Sequence, residues 1–316
     1  MNSKFVVALS LIFIFLLNGC KEKQKSPILE QENSAVKSQP ELKTVSVNDY
    51  DINYIDIGKG EPVVFVHGTI GDYRTWNAQM DVFSKNHRVI ALSRRYAHPN
   101  SQIVNDSTDY RVTVHSKDLI EFLKTLNIGP VHLVGHSYGA FTSLLTTLGN
   151  PELVKSLTLG EPPVMSLLQY VAEGEKLGND FAVKTFVPAA KAFNSNNDEK
   201  AVEIFIGGVL NDSLYFSKAP KEIKDMMLDN ITELKGIIFT ENLFPPLSCE
   251  DINKLKTPTL LIKGDKSPII LTTVIDELSK CLENNQVAIL PNASHGLEYE
   301  NPEEFNKIVL EFIDNH

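Results

Sequence analysis

The chain has 316 residues, of which 42% are hydrophobic and 22% charged, and it carries a formal net charge of −10. A composition this apolar excludes an intrinsically disordered protein, and the acid excess excludes a nucleic-acid partner, because phosphate recognition needs a basic face. The length suits one α/β domain with an insertion.

At the N-terminus, Lys4 precedes an apolar run from Phe5 to Leu17 that ends in Leu17-Asn18-Gly19-Cys20. A positive end, a short apolar stretch and small residues predict a secretory signal over residues 1–19, too short for a comfortable transmembrane helix. Leu-Asn-Gly-Cys is similar to the bacterial lipobox. That resemblance implies lipidation of Cys20 and a cell-envelope lipoprotein, anchored to a membrane with its folded part outside the cytoplasm. An ordinary signal cleaved near Cys20, or an uncleaved anchor, is the alternative. Residues 20–43 are rich in Lys, Glu, Gln and Ser and read as a flexible tether. An oxidising compartment permits Cys249 and Cys281 to pair, but the sequence does not show that they meet. No Cys/His cluster has zinc spacing.

The folded part opens with two strands, Thr44 to Val47 and Asp51 to Ile57, joined in a hairpin at Asn48-Asp49. Pro62 to Val66 is a continuous apolar run suited to a strand buried on both faces, and it ends in His67-Gly68-Thr69-Ile70-Gly71. His67 is read as a structural histidine that fixes this loop. Arg74 to Lys85 has helical spacing, Arg88 to Leu92 returns to strand, and Ser93-Arg94-Arg95-Tyr96 follows at its carboxyl end. Arginines there can bind an anionic substrate group, but a solvated or salt-bridged loop is the preferred reading. Thr113 to Leu126 is an amphipathic helix, stopped by Asn127-Ile128-Gly129-Pro130. Next, Val131, Leu133 and Val134 form a short buried strand, and Gly135, Ser137 and Gly139 spell Gly-x-Ser-x-Gly before a helix from Ala140 to Leu148.

A serine between two glycines at a strand-to-helix turn is the nucleophile-elbow pattern. The backbone there is strained to φ > 0, and side chains on either side would collide. With this pattern the chain resembles the α/β-hydrolase superfamily, over about Val45 to Phe312. The resemblance implies a mostly parallel central sheet flanked by helices, with Ser137 as nucleophile. It also implies an oxyanion hole built from the backbone N–H groups of Thr69 and Tyr138. Val154 to Leu159 is the next strand. Beyond Pro163 the strand–helix rhythm lapses until Thr259, where the superfamily inserts a cap; the core is then 44–162 and 246–316, and the helical cap 163–245. Its many phenylalanines read mainly as packing within that cap, with an apolar wall turned to the site. Thr259 to Ile262 and Gln286 to Leu290 are the last strands, separated by a helix from Leu271 to Leu282. The following loop, Pro291-Asn292-Ala293-Ser294-His295-Gly296, is where the superfamily carries its general base, which makes His295 the candidate. Pro302 to Ile313 closes the chain as a helix.

The acid departs from the usual pattern. In Gly264-Asp265-Lys266-Ser267-Pro268 a serine stands where Gly-x-x-Asp would place the carboxylate, and a serine cannot balance an imidazolium. Two carboxylates compete. Asp265 sits two places early, whereas Glu161 follows the strand after the elbow helix and resembles the arrangement of haloalkane dehalogenases; Glu161 is preferred.

These parts predict a serine hydrolase acting on a small carboxylic ester through an acyl-enzyme, with no metal or organic cofactor. Lactone, amide and C–C hydrolysis and cofactor-free perhydrolysis use the same constellation. Ser137 argues against dehalogenase and epoxide-hydrolase chemistry, which uses Asp at that position. The alternative from another class is a ligand-binding sensor that traps a signal molecule by slow acyl transfer. Substrate and oligomeric state carry no motif.

Overall fold

The computed structural model describes residues 40–101 and 108–316. The expected secretory signal over 1–19, Cys20 and the expected tether as far as residue 39 lie outside the described residues. The first strand, β1 (Leu42–Val47), begins inside the stretch read as tether, because Leu42 to Thr44 pair with Asn53 to Ile55 and the Lys43 ammonium bonds Asp56 at 2.8 Å. It turns at Asn48 and Asp49, both at positive φ, into β2 (Tyr50–Gly58). Two successive left-handed residues are what a two-residue hairpin turn demands, and Asn and Asp tolerate them best.

Strand β3 (Pro62–Val66) leads through a 3-10 turn over Tyr73–Trp76 to helix α1 (Asn77–Phe83) and β4 (Arg88–Leu92). The expected single helix over 74–85 is therefore split and shorter, with the Asp72 side chain accepting from the Arg74 amide at its start. Helix α2 (Val112–Leu126) ends on Asn127 in the left-handed conformation. There follow β5 (Val131–His136), α3 (Tyr138–Gly149) and β6 (Val154–Gly160). Helices alone fill the segment after it: α4 (Gly174–Lys184), α5 (Phe186–Asn194), α6 (Asp198–Val209), α7 (Tyr215–Lys218), α8 (Lys221–Asp229) and α9 (Ile231–Phe239). After α10 (Cys249–Ile252), the chain returns through β7 (Thr259–Gly264), α11 (Ile269–Cys281), β8 (Asn285–Leu290), α12 (Leu297–Glu300) and α13 (Pro302–Asp314).

The described residues form one eight-stranded sheet in the order β1-β2-β4-β3-β5-β6-β7-β8. Pairings from β4 through β8 are parallel, and β1 and β2 add an antiparallel edge. Side chains alternate across it. Val64 and Val66 pack with Phe122 and Phe141 of α2 and α3 on one face, while Val63 and Phe65 pack with Trp76, Phe83 and Phe305 on the other. This is the mostly parallel, helix-flanked α/β fold expected from the sequence. Helices α5, α6 and α9 build a third cluster around Phe193, Phe205 and Leu234. Cys249 and Cys281 are joined by a disulfide, Cα–Cα 4.9 Å, which ties α10 to the far end of α11.

Candidate active site

Ser137 lies between β5 and α3 with φ 52° and ψ −121°, and its amide donates to Gly160 O at 2.7 Å. The turn is possible because its flanks lack side chains. A Cβ on Gly139 would fall 2.2 Å from Val66 O and 2.3 Å from His67 O, and one on Gly135 would fall 2.6 Å from Ala140 Cα. Glycine at 139 lets the first turn of α3 sit directly against the end of β3, and glycine at 135 lets that turn fold back onto β5.

His295, 5% exposed, is carried by the loop between β8 and α12. Its Nε2 lies 2.9 Å from Ser137 Oγ and its Nδ1 2.6 Å from Glu161 Oε2. Glu161 is fully buried just beyond β6, at positive φ, and its other oxygen accepts the Gly264 amide at 2.9 Å. The loop is braced from the rear by Glu300, which accepts from the Ser294 amide and hydroxyl. Asp265, the alternative acid, points elsewhere. It is exposed past the end of β7, and no hydrogen bond or ion pair joins it to His295. The reason lies in the backbone: the Gly264 amide is spent on Glu161, so the carboxylate beside His295 comes from β6.

Thr69 and Tyr138 both face the cavities that meet at Ser137. Tyr138 begins α3, so its amide has no intrahelical acceptor. Its ring is buried, its hydroxyl donates to Tyr110 O at 2.5 Å, and burial raises its pKa well above the phenol range. His67 is buried and neutral. Its Nδ1 donates to Gly68 O at 2.8 Å and its Nε2 accepts the Arg94 amide at 2.9 Å, while burial and the Arg94 charge push its pKa well down. Arg95 pairs with Asp118 through two bonds of 2.6 and 2.5 Å, and Arg94 with Glu233, so both arginines are salt-bridged, and Arg94 is buried rather than solvated.

Two cavities open from Ser137 and His295. One, of about 250 Å³, is walled by Met165, Phe181, Phe186, Phe244, Ile270 and Leu271. The other, of about 70 Å³, is lined by Thr75, His136, Tyr215, Met226, Glu298 and Tyr299. His136 and Glu298 were missed in the sequence. Glu298 is fully buried, with Oε1 3.1 Å from His136 Nδ1, and His136 Nε2 donates to His295 O at 2.7 Å. Burial works against a charged His136 ring, but Glu298 outweighs it and holds the pKa above the ordinary imidazole value. Glu233 was missed too. Its signal was an acid on the apolar face of a helix, between Asn230, Leu234 and Ile237.

Residues 61–302 match the family model for the alpha/beta hydrolase fold. An sn-1-specific diacylglycerol lipase of Mus musculus is 25% identical over 264 residues, covering 79% of this chain and 80% of the lipase. A 2-hydroxy-6-oxo-6-(2'-aminophenyl)hexa-2,4-dienoic acid hydrolase of Metapseudomonas resinovorans is 22% identical over 294 residues, covering 90% and 94% of the two chains. Among solved structures, a carboxylesterase from Bacillus subtilis superposes with a TM-score of 0.68 at 18% identity, over 88% of this chain and 93% of that one.

Proposed function

The chain belongs to the α/β-hydrolase family, and we propose that within it this protein is a serine hydrolase that cleaves carboxylic esters with an apolar acyl chain through an acyl-enzyme. The observation that carries this reading is the unbroken chain from Glu161 through His295 to Ser137, 2.6 and 2.9 Å per link, at the junction of the two cavities.

In this mechanism the Glu161 carboxylate holds the proton of His295 on Nδ1, which leaves Nε2 free to accept. Ser137 Oγ attacks the ester carbonyl as its proton passes to Nε2, and Glu161 stabilises the imidazolium that forms. The amides of Thr69 and Tyr138 receive the oxyanion, each worth on the order of 3 kcal/mol of barrier. His295 then protonates the departing alkoxide, and the same ring activates the water that hydrolyses the acyl-Ser137 ester. The larger, apolar cavity is the natural seat of the acyl chain. The helical segment 163–245 acts as a cap, since it supplies Met165, Phe181, Phe186 and Phe244 to that wall. Relatives of 22–25% identity, a lipase and a dienoic acid hydrolase by name, support the reaction class rather than a substrate.

The protein is further proposed to work outside the cytoplasm, held to a membrane by lipid on Cys20. Support comes from the Leu17-Asn18-Gly19-Cys20 run and from the Cys249–Cys281 disulfide, a bond that persists in oxidising compartments.

The test is turnover of p-nitrophenyl esters of increasing chain length by the full chain in detergent, beside Ser137→Ala. Sustained turnover that Ser137→Ala abolishes supports the reading. Stoichiometric labelling of Ser137 without release points instead to a protein that traps its ligand.

A further inference from the structure

The loop that carries Thr69 is gripped from the cap as well as from the end of β4. Ile70 adopts φ 64°, a conformation β-branched residues avoid, so its surroundings must impose it. The carboxylate of Glu233 on α9 lies beside the Ile70 backbone, and the Ile70 side chain, 4% exposed, belongs to the apolar cluster of the cap helices. Glu233 is fully buried and pairs with Arg94 through contacts of 2.7 and 3.1 Å. Arg94 in turn donates to the carbonyls of His67 and Gly68, each at 3.0 Å. Both sides of Thr69 are therefore held, Ile70 by the apolar cluster of the cap and Gly68 through the guanidinium that Glu233 pairs. The guanidinium also lies 4.5 Å above the ring of Tyr138, whose amide is the second oxyanion donor in the mechanism above.

We propose that Arg94 and Glu233 are positioning residues that set the two oxyanion donors, so that seating of the cap and assembly of the oxyanion hole are one event. The inference rests on the reading of Ser137 as an acyl acceptor. It goes beyond that reading in making a cap residue that does not line the acyl pocket a determinant of transition-state binding. An ion pair is suited to this task because its fork fixes direction as well as distance, which apolar packing does not. A cap displaced from its seat would withdraw Glu233 and release Ile70 from its strained backbone, with the Thr69 amide turning away.

The test compares the full chain in detergent with Glu233→Gln and with the double variant Arg94→Met, Glu233→Leu. The double variant replaces the pair by apolar side chains of similar volume, an exchange that folded proteins commonly tolerate, so it carries the test if Glu233→Gln fails to fold. Four quantities are read: kcat and KM on p-nitrophenyl octanoate, Ki for an octyl trifluoromethyl ketone that adds to the serine, and Ki for the matching methyl ketone that does not. The proposal expects kcat to fall by ~10²–10³, the range for loss of an oxyanion donor, while KM and the methyl-ketone Ki barely move. The trifluoromethyl-ketone Ki should rise in step with the loss in kcat. Unchanged kcat in folded variants overturns it, and so does an equal loss of affinity for both ketones, which marks a site that has merely collapsed. Absence of turnover and of fluorophosphonate labelling in the unaltered protein is a different result: it rejects the acyl-transfer reading and this inference with it.

Discussion

Replacing Glu161 by Gln is the sharpest test of the hydrogen-bonded chain, because the structure dictates which way the new amide must face. One carboxylate oxygen accepts the Gly264 amide at 2.9 Å, so the Gln oxygen has to occupy that position. Its NH₂ then faces His295 Nδ1, where the carboxylate now lies 2.6 Å away. Two donors cannot share that contact, and the ring responds by moving its proton to Nε2. In that tautomer Nε2 donates to Ser137 Oγ and cannot take its proton. The side chain is fully buried, so no water substitutes for the lost acceptor. The expected fall in kcat is ~10⁴, the size seen when a triad acid is neutralised in serine proteases, equivalent to about 5.5 kcal/mol of barrier. The assay is the initial rate on p-nitrophenyl octanoate from pH 6 to 9, with Asp265→Asn as control; the exposed Asp265 predicts a rate close to that of the unaltered protein. A Glu161→Gln variant that folds and keeps more than a tenth of its activity refutes the reasoning, as does an equal loss from Asp265→Asn.

Three further outcomes are expected. Removing the disulfide with Cys249→Ser and Cys281→Ser reopens a loop spanning 32 residues, which is worth about 3.7 kcal/mol by chain entropy and about 7–15 °C of melting temperature. Activity at 25 °C should survive, since Cys281 is at the opposite end of α11 from Ile270 and Leu271, and calorimetry beside initial rates checks both statements. Phe186→Ala removes a ring that packs edge-on against Phe181 and Phe205 and walls the larger cavity. It should cost up to about 3 kcal/mol of stability and move the preferred acyl chain towards greater length; an unchanged chain-length profile would assign that wall to something other than the acyl chain. His136 is held above its ordinary imidazole value by Glu298, so its charge contributes stability that is complete below about pH 6.5 and is lost as pH rises through the raised value. Melting temperature against pH should therefore fall on the alkaline side in the unaltered protein and flatten in Glu298→Gln, with the two curves furthest apart near pH 6.

The strand and helix pattern was legible because the sheet is buried on both faces. Pro62 to Val66, Val131 to Val134 and Thr259 to Ile262 announce themselves as short, mainly apolar runs, interrupted only by His132 and Thr259, and Gly-x-Ser-x-Gly falls between one such run and a helix. The split of the first helix was less visible, because Asp72 acts through its side-chain bond to the Arg74 amide, a contact that competes with helix locally without breaking its spacing. The Cys249–Cys281 pairing was open for a different reason. Their meeting depends on how α10 docks against α11, across a strand and two turns, and spacing alone does not encode that.

The polar partnerships show most clearly what a linear reading leaves out. Glu161 and Asp265 sit at the ends of neighbouring parallel strands, β6 and β7, and each is within a few residues of the position an acid needs. What separates them is one backbone amide: Gly264 donates to Glu161, which turns that carboxylate inward and leaves Asp265 on the exposed side of the turn. Glu233 presents the same lesson at longer range. Read alone, it is an acid interrupting an apolar helix face; in the fold its cost of burial is met by both terminal nitrogens of Arg94, 139 residues earlier. A charge is retained at such a position only where several donors converge on it, and here they converge on the loop beside Ser137. Glu161, Glu233 and Glu298 are thus alike in being fully buried carboxylates near Ser137 whose burial and partners only the fold reveals.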